Sequence, residues 1–395
     1  MAQSDLADMI KAVPQGAESA FPSVEYDSRL AALRAAMAAR EIDLVIVSGP
    51  ENVFYLSGQQ TPGYYTFQAL CIPAEDAPFI VLRGLEVMNA RLNTFIDDIE
   101  GYADDVPPPV AVADVLKARG WAGKRVAIDK GAWFLTVNAY AMLEERFGPM
   151  MDASGLVESL RRVKSPREID QLIAAAAAND KGMEAGLSAT RVGASENDVA
   201  AAIMGASIAA GSEYVGMAPF VTSGPRAGVP HTTWRRRTIE AGDVVILESA
   251  AAYNRYHAAL FRTVFLGDVP ADARAMYEVC EEAYDAALGC MIPGKTCADV
   301  HNAAQAVIDA HGQTAGYRKR SGYSIGISFA PDWGEGNILS LFRGVDVPLE
   351  PGMAFHIPIS LRAYNRFTVA VSDTVLITDG APRPLSALPR GVHVA

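Results

Sequence analysis

The chain has 395 residues, with 46 acidic and 34 basic side chains and a formal net charge of −12. This negative balance argues against nucleic acids and anionic membranes as partners, because both carry negative charge themselves. Hydrophobic residues make up 50% of the chain, which is enough for two domains with sizeable cores. Nowhere does the sequence contain the run of about eighteen apolar residues that a transmembrane helix needs.

The four cysteines show no paired or metal-binding spacing, so free thiols in a reducing compartment are the simplest interpretation. The N-terminus lacks the charged start and apolar stretch of a secretion signal. We therefore expect a cytoplasmic protein. Residues 1–24 are polar and contain Gly and Pro, and they are predicted to form a loose N-terminal arm. The cysteines are Cys71, Cys280, Cys290 and Cys297.

The first third of the chain alternates helical and extended patterns. Residues 26–40 place Leu30, Leu33 and Met37 on one face, as an amphipathic helix does. Together with the segments that follow, this pattern indicates an α/β domain over residues 25–158. The further predicted strands are 44–47, 79–82 and 126–128, and the further predicted helices are a short one between Pro50 and Gly58 and three near 84–92, 110–119 and 137–147.

The pattern changes near residue 160, and a second domain is predicted over residues 159–395. A long helix is expected from Glu168 to Ala189, and Ser195 is suited to cap the next one. The rest is predicted to be rich in strands, interrupted by two helices near 270–290 and 297–311.

One hairpin in this second domain carries the residues that suggest chemistry. His231 follows a proline and is predicted to close an extended segment. The apolar run 244–247 reads as a buried strand that ends on Glu248, and a second strand over 256–266 carries His257. Burying such polar groups without partners would cost several kcal/mol. A carboxylate and histidines on neighbouring buried strands therefore indicate a functional site.

These segments resemble the pita-bread superfamily, which includes methionine and Xaa-Pro aminopeptidases, prolidase, creatinase and ectoine hydrolase. The hairpin around Glu248 is followed by GYSIG at 322–326, where the peptidases have GHGIG, and by SDTVLIT at 372–378. Upstream, KSPREI at 164–169 is similar to the start of the catalytic domain in that superfamily. The resemblance spans residues 25 to 380. It implies an α+β pita-bread catalytic domain behind an α/β creatinase-type N-terminal domain.

The resemblance also implies where metal ligands would lie. The peptidases hold two metal ions with two Asp, one His and two Glu, and only the first of the five corresponding residues here is a good ligand. One carboxylate cannot hold two divalent cations, so we predict no catalytic metal and no cofactor. The five corresponding residues are Glu248, Ala259, Tyr323, Pro358 and Ser372.

A shifted metal site is the alternative. His257 and His356 each lie two residues before one of the lost ligand positions, and this spacing keeps a side chain on the same face of a strand. With Glu248 they would make a two-histidine, one-carboxylate cluster. The other interpretation is that both histidines are polar wall or core residues.

The sequence around these positions is most similar to that of ectoine hydrolase and creatinase. The run Pro-Asp-Trp-Gly-Glu resembles the ectoine hydrolase branch and places Asp332, Trp333 and Glu335 in one loop. Carboxylates and an indole suit a small cationic or zwitterionic substrate, although a tryptophan-anchored turn is the plainer interpretation. Tyr323 and the two histidines His257 and His356 are predicted to complete the polar wall of the substrate site.

Creatinase works without metals and uses a histidine in the position of His231 to move protons. An imidazole suits that role because its ordinary pKa lies near neutrality. We therefore predict His231 and Glu248 as catalytic residues, with Glu248 and the acidic loop orienting the substrate. Whether water or Glu248 attacks the substrate carbon stays open.

In creatinase the N-terminal domain of one subunit helps to close the active site of its partner. By resemblance, Tyr64 and Tyr65 are predicted to contact substrate within a homodimer. The loop 59–67 differs from the ectoine hydrolase branch, and no glutamate occurs at 370–373. The resemblance is therefore carried to the reaction class and not to ectoine itself.

The predicted function is metal-independent hydrolysis of a C–N bond in a small amide, amidine or guanidino compound, ectoine-like or creatine-like. One alternative is a metallopeptidase that acts on Xaa-Pro peptides. The other is a catalytically silent protein that binds a small molecule on the same fold.

Overall fold

The computed structural model describes residues 12–317 and 319–395. The chain divides into two compact units, Met1–Arg161 and Arg162–Ala395. The first eleven residues of the predicted arm lie outside the described residues, and within its remainder Gln15 donates hydrogen bonds to the carbonyl oxygens of Thr94 and Ile96. None of the described helices is both long and apolar enough to cross a membrane. All four cysteines are free thiols, as predicted.

The helices of the first unit follow the predicted periodicity closely. Leu30, Leu33 and Met37 are buried on one face of the first helix, which confirms the amphipathic pattern. The second helix ends at Gly58, whose φ of 79° is the left-handed conformation that glycine adopts without strain. The helices are α1 (Ser23–Ala39), α2 (Pro50–Ser57), α3 (Val87–Asn93), α4 (Pro108–Ala118), α5 (Val137–Phe147) and α6 (Leu156–Leu160).

The strands of the first unit form a mixed six-stranded sheet in the order β4-β3-β2-β1-β5-β6. The apolar strands β1 and β5 pair in parallel, whereas β1 and β2 are antiparallel. The sequence patterns did not single out β2 or β4. The strands are β1 (Leu44–Val47), β2 (Ala69–Pro73), β3 (Phe79–Arg83), β4 (Ile99–Tyr102), β5 (Val126–Ile128) and β6 (Met151–Asp152).

The helices of the second unit begin at strong capping signals. Ser165 caps the first by accepting from the backbone of Glu168, whose side chain bonds back in a capping box. Ser195 caps the second helix in the same way, as predicted. The helices are α7 (Pro166–Ala189), α8 (Glu196–Ala209), α9 (Ala271–Gly289) and α10 (Cys297–Ala310).

The strands of the second unit form three sheets, in the orders β17-β9-β8-β7, β11-β10-β12-β15-β16 and β13-β14. A bridge between Phe261 and Ser372 connects β9 to the segment between β14 and β15. The strands are β7 (Phe220–Ser223), β8 (Val244–Tyr253), β9 (Tyr256–Phe265), β10 (Gly322–Ser324), β11 (Ser340–Leu341), β12 (Ala354–His356), β13 (Ile359–Ala363), β14 (Phe367–Val371), β15 (Thr374–Leu376), β16 (Arg383–Pro384) and β17 (His393–Val394).

Two local expectations about the hairpin are wrong. Strand β8 does not end at Glu248 but continues to Tyr253, because a two-residue turn at Asn254 and Arg255 lets both strands pair over their full length. Both turn residues have positive φ, 45° and 63°, which matches the twist of a tight hairpin. Glu248 therefore lies in the middle of a paired strand, opposite Phe261 on one side and Phe220 on the other.

His231 is the second correction. It does not close an extended segment, since its φ is 55° and it lies in a turn after a short 3₁₀ helix over Gly224–Gly228. This loop packs closely on the turn between β13 and β14. A Cβ at Gly228 would lie 2.6 Å from the backbone nitrogen of Arg366, so the close approach requires glycine there.

Candidate active site

A cavity of about 520 Å³ opens in the second unit. The structure brings five of the predicted site residues to its wall: His231, Glu248, Tyr323, Asp332 and Trp333. The remaining lining residues are Met217, Phe220, Phe261, Lys319, Arg320, Pro358, Ser360 and Arg362.

Glu248 projects from the middle of β8 into this cavity. Removal from bulk water raises the pKa of its carboxyl group, while the charges of Lys319 and Arg362 act in the opposite direction. Within the described residues the carboxylate makes no direct hydrogen bond or ion pair. A carboxyl group with a raised pKa and free oxygens can exchange a proton or accept hydrogen bonds from a ligand.

His231 lies at the rim of the cavity. Its ring stacks on Phe220, with centroids 6.2 Å apart and ring planes inclined by 28°. The side chain is exposed, and it makes no hydrogen bond to another described residue. Both ring nitrogens are therefore available to a substrate or a water molecule, which is what a proton carrier requires.

Tyr323 forms part of a hydrogen-bonded chain behind the cavity wall. Its hydroxyl oxygen accepts from the indole N–H of Trp333 at 2.9 Å and lies 2.9 Å from Nδ1 of His356. The other imidazole nitrogen, Nε2, lies 2.6 Å from the hydroxyl of Ser372. Burial, with the nearby cations Lys319 and Arg320, lowers the pKa of His356 to about 3. The imidazole is thus neutral, and the chain orients Tyr323.

The two carboxylates of the predicted acidic loop, Asp332 and Glu335, lie in different surroundings. Asp332 lines the cavity, and its carboxylate accepts from the backbone N–H groups of Trp333 and Gly334 at 2.7 and 3.1 Å. Glu335 instead pairs with Lys164 at 2.7 Å, and both side chains are 1% exposed. We predicted that the carboxylate of Glu335 contacts the substrate. In the structure this carboxylate is instead buried in the ion pair with Lys164.

His257 also lies away from the cavity lining. Its Nε2 accepts a hydrogen bond from the backbone N–H of Gly216 at 3.0 Å, and its Nδ1 lies 2.9 Å from the carbonyl oxygen of Arg255. Burial lowers its pKa to about 3. This is the polar-core alternative considered for the histidines, because both ring nitrogens are bonded to the backbone.

The two-metal centre of the peptidases that the sequence resembles does not fit these residues. Ala259 lies opposite Ala250 in the hairpin, and Ser372 is bonded to His356. Within residues 12–317 and 319–395, no group of three or more His, Cys, Asp or Glu side chains is arranged to hold a metal ion. The shifted cluster does not form either, since the nitrogens of both histidines are engaged.

Sequence reasoning missed the cations of the cavity. Lys319 and Arg362 line it beside Glu248, and burial lowers the pKa of each. Arg320 stacks over the ring of Tyr323 at 4.5 Å. Arg362 is set two residues beyond Ser360 on β13, and this spacing could have indicated that both face the same side. Nothing local distinguishes these residues from surface cations.

Tyr64 and Tyr65 lie in the first unit, on a 3₁₀ turn over Pro62–Tyr65. The ring of Tyr64 packs edge-on against Phe134 at 6.1 Å, and the side chain of Tyr65 is exposed. Their role in substrate contact stays a prediction.

Comparison with known proteins matches both units. Residues 170–379 match the Metallopeptidase family M24, and residues 29–163 match the Creatinase/Prolidase N-terminal domain. An uncharacterized hydrolase/peptidase of Sinorhizobium fredii is 31% identical over 95% of this chain and 98% of its own length. The ectoine hydrolase of Halomonas elongata is 29% identical, with the same coverage. The crystal structure of dipeptidase PepE from Mycobacterium ulcerans superposes with a TM-score of 0.83 at 27% identity, covering 95% of this chain and 99% of that one.

Proposed function

The chain belongs to metallopeptidase family M24 and is a hydrolase of that family, and from this premise we propose that it cleaves a C–N bond in a small non-peptide compound without a catalytic metal. The proposed substrates are amides, amidines or guanidino compounds. The observation that carries the proposal is the cavity wall itself, where the carboxylates of Glu248 and Asp332 share the lining with the cations Lys319, Arg320 and Arg362. A divalent cation there would meet these positive side chains.

In the proposed reaction His231 takes a proton from a water molecule, and the resulting hydroxide forms a bond to the substrate carbon. The carbon–nitrogen bond then breaks, and the electron pair leaves with the nitrogen. The proton held by His231 passes to that nitrogen, so the products are an amine and a carbonyl compound. A positioned proton carrier of this kind contributes about 10²- to 10⁴-fold to a rate.

Glu248 and Asp332 supply negative charge to the same cavity. We assign to Glu248 the binding of the amidine, guanidino or ammonium part of the substrate, because its carboxylate oxygens have no other described partner. Tyr323, fixed by Trp333 and His356, offers a hydroxyl group in addition. Charge-assisted hydrogen bonds of this type are stronger and shorter than neutral ones.

The relatives support two classes of substrate. The ectoine hydrolase of Halomonas elongata favours a small non-peptide substrate, whereas the dipeptidase PepE of Mycobacterium ulcerans favours a peptide. The rival function is therefore hydrolysis of an Xaa-Pro dipeptide by a metal-dependent route. The poor match of the cavity residues to a two-metal centre weighs against this rival.

The test measures hydrolysis and metal content on the same purified protein. Ectoine, creatine and alanyl-proline are offered before and after treatment with a chelator, and bound manganese, zinc and iron are quantified. We expect hydrolysis of a non-peptide substrate that survives the chelator. Proline release that the chelator abolishes, together with stoichiometric bound metal, would replace this proposal with the peptidase. Binding of ectoine or creatine without any turnover would indicate a catalytically silent protein.

A further inference from the structure

The cavity charges, which we define as Glu248, Lys319 and Arg362, are opposite in sign but not in contact. Within the described residues neither cation forms an ion pair with Glu248, although each influences its pKa through space. In an enclosed site such charges attract strongly at close range. Because all three side chains line the same cavity, a ligand that enters it can contact both signs of charge.

The cationic side of the cavity has unused hydrogen-bond donors. Within residues 12–317 and 319–395 the hydroxyl group of Ser360 is buried without a partner, and the side chain is 1% exposed. The Nε–H of Arg362 is likewise buried without a partner. Lys319 donates to the carbonyl oxygen of Pro358, which leaves two further N–H groups on its ammonium. A buried donor that makes no hydrogen bond costs free energy, so the binding of a ligand that accepts from these donors is favoured.

Both cations are held at a cost that an anion would relieve. Burial and the neighbouring Arg362 lower the pKa of Lys319, and burial lowers the pKa of Arg362. A carboxylate between them removes their mutual repulsion and receives the free donors. The planar guanidinium of arginine fits a carboxylate particularly well, because two parallel N–H groups match its two oxygens.

We propose that Lys319, Ser360 and Arg362 form a binding site for the carboxylate group of the substrate. The positive part of the same molecule then lies against Glu248, so the ligand is a zwitterion that spans the cavity. This proposal extends the proposed function by naming the substrate class: an amide, amidine or guanidino compound that also carries a carboxylate. A cavity of about 520 Å³ has room for a molecule of this size.

Matched pairs of ligands test the carboxylate requirement directly. Creatine and ectoine are compared with 1,1-dimethylguanidine and the carboxamide of ectoine, which lack the anionic group, by calorimetry and thermal shift. We expect at least one zwitterion to bind. Its carboxylate-free counterpart should have an affinity lower by a factor on the order of 30 or more. Equal affinity within each pair, or no binding by either zwitterion at millimolar concentration, would overturn the proposal.

Variants locate the effect on the proposed residues. Arg362→Met and Lys319→Met should each weaken binding of the zwitterion by a similar factor, whereas Arg366→Met should leave it unchanged. Arg366 is a suitable control because it lies on the same hairpin but is exposed and paired with Asp272. Thermal unfolding of each variant confirms that the fold is intact.

Acetate gives the sharpest test, because the two substitutions should change its affinity in opposite directions. Acetate has no positive part, so Glu248→Gln should tighten acetate binding by removing the competing negative charge, whereas Arg362→Met should weaken it. If Glu248→Gln weakens acetate binding, the carboxylate does not lie where we propose.

The outcomes separate this inference from the proposed function. Carboxylate-dependent binding without hydrolysis would leave the site standing and reject the function. Hydrolysis of a compound without a carboxylate, at an undiminished rate, would do the reverse.

Discussion

Two sets of opposite charges inside the second unit are held in different ways. In the Arg262 network (Arg262, Tyr284 and Asp373), the guanidinium lies 3.0 Å from one carboxylate oxygen and the tyrosine hydroxyl donates to the other at 2.8 Å. The remaining donors of Arg262 reach backbone carbonyl oxygens, including that of Ser372 at 2.6 Å. Among the residues that the structure describes, the cavity charges have, in contrast, neither direct pairing nor a full set of hydrogen bonds.

The difference separates structural charge from functional charge. A fold can bury an ion pair when every polar atom has a partner, but it gains little from charges that face each other across an open space. Such unsatisfied groups persist where a ligand completes them. The comparison can be tested by removing one group from each set.

The largest expected effect is on stability. Arg262→Met leaves the carboxylate of Asp373 buried without its cation, and it should lower the free energy of unfolding by about 3–5 kcal/mol. Arg362→Met is the matched control. In the described part of the chain its guanidinium pairs with no carboxylate, so its loss should cost less than about 1 kcal/mol. Urea denaturation measures both, and equal losses would contradict the distinction between the two sets.

The second effect is on catalysis alone. His231 is exposed and its ring stacks on Phe220, so His231→Ala should leave the unfolding midpoint nearly unchanged. Without its proton carrier, kcat should fall at least about 10²-fold, which corresponds to about 2.7 kcal/mol. The measurement uses whichever substrate the chelator experiment identifies. Near-full activity of the variant would remove His231 from the mechanism.

The smallest effect, taken per pH unit, concerns the dependence of stability on pH. Burial lowers the pKa of both His257 and His356 to about 3 in the folded protein. In an unfolded chain the pKa of a histidine is about 6.5. The unfolded chain therefore binds more protons as the pH falls from about 6.5 towards 3. The free energy of unfolding should decrease by about 1.4 kcal/mol per pH unit for each histidine in that range.

His257→Asn isolates this contribution. It should reduce the pH slope of the unfolding free energy between about pH 6 and 4 by one proton's share, in denaturation curves taken at several pH values. His311→Asn is the control, because His311 is exposed and pairs with Glu282 on the surface. An unchanged slope in His257→Asn would mean that its imidazole is protonated in the fold.

Local sequence was a good guide to the elements. The apolar face of α1, the capping residue Ser195 and the strands over 44–47 and 126–128 all occur as predicted. These features depend on periodicity and on short-range hydrogen bonds, which neighbouring residues supply. The left-handed conformation of His231 was not predicted. The loop before it contacts, at Gly228, a turn more than a hundred residues away, and no local pattern indicates such a contact.

The candidate site was predicted only in part. The hairpin pattern and the resemblance led to His231, Glu248, Tyr323, Asp332 and Trp333, and the structure places all five around one cavity. Two other predicted residues, Glu335 and His257, are engaged by Lys164 and by the backbone instead. No local pattern says which partner a buried polar side chain will meet.

The sequence by itself determined the family, most of the helices and the apolar strands over 44–47, 79–82 and 126–128, since each of these depends on which residues are neighbours in the chain. Only the tertiary structure decided the charge of the cavity. Lys319 and Arg362 are far from Glu248 in the chain, and electrostatic coupling depends on distance in space. Folding brings them together, and it turns a site that reads as acidic in sequence into one that presents both charges to a ligand.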